Sequence, residues 1–138
     1  MSALFGFAGM RPAGDGSRKL LYVAGAFNFG AALILVLLAR FAPRWLGVDA
    51  LSASQMLYVD LVAWLVVGFG IGYVLGGRDL ARFWPFIALG ALGKAGVAVL
   101  ALVYFVAGDT GPLVLLLASG DAVFAALFVR LLRAHAAA

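Results

Sequence analysis

The sequence predicts an all-α membrane protein: an antiparallel bundle of four transmembrane helices with both termini cytoplasmic. Three observations carry that expectation. Of 138 residues, 66% are hydrophobic and 12% charged, whereas a soluble domain carries roughly 25% charged residues. The apolar residues fall into four runs, each close to the roughly 20 residues that cross a bilayer core. Basic residues then mark alternate ends of those runs. Arg11, Arg18 and Lys19, then Arg78 and Arg82, then Arg130 and Arg133 fall on one side, against Arg40 and Arg44 on the other. Lys and Arg concentrate in cytoplasmic loops, so the richer side, with both termini, is expected in the cytoplasm. The length fits one integral membrane domain over residues 1–138, with the bacterial cytoplasmic (inner) membrane as the expected location.

Residues 1–18 read as a flexible or interfacial tail, because MSALFGFAGM is too short to span and RPAGDGS breaks any helix. The first run lacks a small-residue cleavage site, so a removed signal peptide is not expected. Helix 1 is expected over about 19–40, with Pro43 enforcing its end. Helix 2 is expected over about 54–75, stopping at Gly76-Gly77. Helix 3 spans about 81–107, with Pro85 in or near its first turn, and stops before GDTG. Helix 4 opens on Pro112 and runs to about Arg133. Short connections make successive helices antiparallel neighbours. Tyr22, Trp45, Tyr58, Trp84 and Tyr104 lie near helix ends, as interfacial anchors do. Gly68, Gly72 and Gly76 form a small-residue stripe on which another helix can pack closely, within the bundle first and between copies second.

Several kinds of chemistry are excluded. There is no cysteine, so no disulfide, thiolate metal site or cysteine nucleophile, and the single histidine, His135, cannot form a histidine pair. No phosphate-binding loop, dinucleotide-binding loop or nucleophile elbow is present, so no catalytic residue, metal or cofactor is expected. The sequence pI of about 10.0 comes from basic residues at helix ends, which argues for membrane topology and against nucleic acid.

The residues that remain are polar groups inside the apolar runs: Asn28, Asp60, Lys94 and Asp121, one per helix. Hydrocarbon cannot solvate an ammonium or a carboxylate, so such residues face the bundle interior and mark sites. Lys94 lies near the middle of helix 3, and Asn28 and Asp121 each lie roughly nine residues into theirs, at comparable depth for a rise of about 1.5 Å per residue. Asp60 lies nearer the external face. Asp121 is the better-matched partner for Lys94, although the sequence leaves Asp60 open. Gly90, Gly93, Lys94 and Val97 share one face of helix 3, Asp121, Phe124 and Phe128 one face of helix 4, and Asp60, Trp64 and Ile71 one face of helix 2. The expected site is thus a polar set of Lys94, Asp121, Asp60 and Asn28, lined by Trp64, Phe124 and Phe128. It either fixes helix order or serves a ligand or a proton.

GAFNFG in helix 1, ARFAPRWLGV after it and GIGYVLGGRD closing helix 2 resemble the DoxX-like small four-helix membrane proteins. The resemblance implies a compact four-helix bundle, and some members are subunits of quinone-linked oxidoreductases. The expected function is a non-catalytic membrane module built around the Lys94–Asp121 pair, either a small subunit or a bundle binding an apolar ligand such as a lipid or quinone, with the lipid bilayer and a larger membrane complex or a homo-oligomer as the expected partners. The alternative is a small proton-coupled transporter working through Asp60, Lys94 and Asp121.

Overall fold

A computed structural model describes residues 10–136, and the interfacial reading of MSALFGFAG lies outside them. Four long helices account for most of the described chain: α1 (Asp15–Phe41), α2 (Ala53–Arg78), α3 (Leu80–Ala107) and α4 (Pro112–His135). Each is long and apolar enough to cross a membrane. A short 3-10 helix, Pro43–Leu46, follows α1.

The helix ends show how local chemistry sets the boundaries. Helix α1 starts at Asp15, earlier than expected, because Gly14 is extended and an acidic residue in the first turn suits the positive end of the helix dipole. Helix α2 starts on a capping box: Gln55 N donates to Ser52 Oγ at 3.4 Å, and Ser52 N donates to Gln55 Oε1 at 2.8 Å. It does not stop at Gly76-Gly77 but continues to Arg78. Those glycines are contact surfaces, with the Ile87 side chain against Gly76 and the Tyr22 ring against Gly77. The break falls instead at Asp79, the one residue between α2 and α3, whose backbone leaves the helical region and whose side chain accepts from Arg82 N at 3.1 Å. Pro85 lies five residues after Leu80, past the first turn, so the Ala81 carbonyl loses its helical donor.

Packing is uneven along the bundle. The α1–α2 and α3–α4 contacts are the most extensive, α2–α3 is looser, and α1 meets α4 only briefly. A Cβ on Gly25 would lie 3.0 Å from Gly70 O, so the α1 and α2 backbones nearly touch. Leu21, Tyr73, Leu80, Ile87, Phe128 and Leu131 are buried together in one cluster. They come from the first half of α1, the second half of α2, the first half of α3 and the second half of α4. The dense core therefore occupies one end of the molecule.

At that end the chain meets itself. Arg11 N donates to His135 O at 2.9 Å, Met10 and Ala136 form an isolated β-bridge, and Ser17 Oγ lies 2.8 Å from His135 Nε2. At the other end Leu46 O accepts from Thr110 Oγ1 at 3.3 Å and from Gly111 N at 3.4 Å. Gly47 makes that junction possible: its φ is +80°, and a Cβ there would lie 2.4 Å from Gly111 N.

The outer surface is apolar. Leu33, Leu92, Val106 and Leu116 are all at least 60% exposed, a surface suited to lipid.

Candidate functional site

Lys94 sits about halfway along α3 and is 5% exposed. Its Nζ donates to Asn28 Oδ1 at 2.8 Å and to Asp121 Oδ1 in an ion pair. Asn28 also donates from Nδ2 to Val66 O at 3.1 Å, so one side chain joins α1 to both α2 and α3. The ammonium lies over three rings: Phe27 at 5.1 Å, Phe124 at 5.3 Å and Tyr73 at 5.6 Å from their centroids. Ring faces are electron-rich, so they stabilise a buried cation. Opposite charge, a neutral amide and ring faces together allow an ammonium to stay inside the bundle.

This group forms the polar end of a cavity of about 400 Å³ that reaches all four helices. The volume lies in the range of small-molecule sites, roughly 300–1,000 Å³. From the polar end the cavity passes Val66 and Val97 and finishes near Leu46, Ala101 and Val114. It occupies the part of the bundle that the dense core leaves unfilled. Among the described residues, Lys94 and Asp121 are its two charged lining residues, and the rest of the wall is almost wholly apolar.

Of the expected residues, Asn28, Lys94 and Asp121 come together, and Phe124 stands over the ammonium. Gly90, Gly93 and Val97 line the cavity beside Lys94, as the shared helix face implied. Asp60 does not join them. Arg40 Nη2 holds it at 2.7 and 2.8 Å in a half-exposed ion pair at the far end of α1. Trp64 is 73% exposed and does not line the cavity, and Phe128 is buried in the dense core.

The reason is the rotation of α2. Val66, Phe69 and Tyr73 face the cavity and Val62 and Leu65 stand exposed at its rim, while Trp64 and Ile71 are exposed and line none of it. Close contacts through Gly70 to α1 and through Gly72 and Gly76 to α3 set that rotation.

Two site residues were missed from sequence. Tyr73 is 1% exposed and Phe27 half-buried, and both stand at the Lys94 end. A usable signal existed: Val66, Phe69 and Tyr73 recur at i, i+3 and i+7, and Phe27 adjoins Asn28.

Comparison of the chain with protein-family models, with curated proteins and with solved structures finds no match. Fold and site define a class nonetheless: a small helical membrane protein with four helices of spanning length, a buried lysine–aspartate pair and an internal apolar cavity.

Proposed function

We propose that the protein is a non-catalytic, DoxX-like bundle of the bacterial cytoplasmic membrane that binds an apolar ligand of lipid or quinone type. Its helices run antiparallel and both termini lie in the cytoplasm, where the richer set of basic residues falls. The observation that carries the reading is the cavity of about 400 Å³ with Lys94, Asn28 and Asp121 at one end. An apolar slot with a few convergent polar groups is the usual form of a small-molecule site. The exposed apolar faces also suit a small subunit that docks against other membrane proteins or a second copy of itself.

The transporter alternative has less support. Its path ran through Asp60, which Arg40 engages away from the cavity. Gentle purification followed by mass spectrometry of co-extracted molecules tests the reading. One apolar species should be enriched over bulk lipid and lost when Val66→Trp fills the cavity of a folded variant. A pH-dependent flux in liposomes with no enriched species would overturn it. Cysteines at positions 78 and 135 should label from the cytoplasmic side and one at 49 from the outside.

A further inference from the structure

Three features of the cavity set what enters it and by which route. The first is its open side. Of the lining residues, Val62, Leu65, Gly93 and Val97 are exposed, and all four belong to α2 and α3. These helices touch at their joined end, where the Tyr73 ring covers Gly90 and the Phe69 and Phe86 rings lie 5.2 Å apart. Beyond that contact four of the residues they give to the cavity wall are exposed. The opening thus lies midway along two helices of spanning length, whereas Leu46, held by Thr110 and Gly111, stands across the end of the slot.

The second feature is charge balance. Among the described residues, Lys94 and Asp121 are the only charged ones in the lining, and they neutralise each other. An anionic head placed there would leave one uncompensated charge in a low-dielectric site, which is costly. Lys94 also lies 14 residues after Leu80 and 13 before Ala107, about 20 Å from either end at about 1.5 Å per residue. A phospholipid headgroup cannot reach that depth without leaving water.

The third feature is the Tyr73 hydroxyl. Among the described residues it takes part in no hydrogen bond, yet no enclosed side-chain polar atom lacks a partner. The hydroxyl is therefore not fully enclosed, and Tyr73 is one of the residues that line the cavity. It stands over Gly90, four residues from Lys94 on the same face of α3. A tyrosine hydroxyl in an apolar site needs a partner, which an incoming oxygen would supply.

We infer that the opening between α2 and α3 is a lipid-side entrance for an uncharged, single-chain molecule whose oxygen head accepts a hydrogen bond from Tyr73. The head rests beside the Lys94–Asp121 pair and the chain extends past Val97 towards Leu46. This rests on the ligand-binding reading above and adds to it the head chemistry, the route and the residue that selects.

The test uses the full chain in detergent micelles and a long-chain methyl ketone with a diazirine at its far end. Photolabelling should fall on residues around Val62, Val97 and Ala101. 2-Tridecanone should compete well, tridecane and dodecanoate poorly. Tyr73→Phe, which keeps the ring, should weaken competition by the ketone about 2- to 10-fold, the worth of one neutral hydrogen bond, and leave tridecane unchanged. Val97→Trp at the entrance should slow labelling with no change in melting temperature. Equal competition by ketone and alkane, strongest competition by dodecanoate, or a Tyr73→Phe protein that behaves as wild type would overturn the inference and leave the ligand-binding reading intact. Absence of any specific labelling would overturn both.

Discussion

Replacing Lys94 by methionine, Asp121 by leucine, and then both, measures what the buried pair contributes. The lysine side chain is 6% exposed and the aspartate side chain 19%, so water compensates little when a partner is lost. Each single change should cost about 3–5 kcal/mol, while the double change, apolar on apolar, should cost much less than the sum. A coupling energy above about 2 kcal/mol is the expected result. Hydrogen bonds between transmembrane helices average about 0.6 kcal/mol and reach about 1.7, so the figure separates an ion pair from an ordinary interhelical hydrogen bond. Reversible unfolding by SDS titration in mixed micelles, followed by far-ultraviolet circular dichroism, gives the four free energies. Coupling below about 1 kcal/mol would refute the ionic account of Lys94 and leave the Asn28 and aromatic contacts as its support.

Three further substitutions test the packing and the limits of the site. Gly72→Ala places a Cβ 1.9 Å from Phe86 Cε1 and should cost about 1–3 kcal/mol in the same unfolding assay, the usual range for overpacking. Gly68→Ala, one turn away with nothing within 4 Å, should be neutral or slightly stabilising, since alanine is the better helix former. Asp60→Asn breaks an ion pair whose side chains are 44–47% exposed, so it should cost no more than about 1 kcal/mol. It should also leave ketone competition unchanged, and a loss of binding would place Asp60 in the site after all.

The four helices were legible because hydropathy and length constrain a membrane-spanning segment strongly. The Asn28–Lys94–Asp121 group was legible for a related reason: a lone polar residue in an apolar run has few places to go. Helix α2 was misread. It is apolar on all sides, so periodicity gave no direction and Asp60 stood as the only marker of an inward face. That marker failed because Arg40, at the end of α1, lies within its reach. Helix α2 runs past the expected stop because Gly76 and Gly77, which can end a helix, here admit Ile87 and Tyr22 in a tightly packed bundle. The cavity was not legible at all. It depends on how the helices pack beyond Gly90, which follows from side-chain volumes summed across four helices.

The meeting of Arg11 and Ser17 with His135 makes the described backbone close to a ring. Four helices linked by short turns return to where they began, and the contact there is made by hydrogen bonds instead of a peptide bond. The order in which the helices are strung is thus nearly independent of how they pack. Proteins whose ends lie together tolerate circular permutation. A permutant of the described backbone, opened at residues 108–111 and joined between residues 136 and 10, should keep the four helices, with α4 first and α3 last.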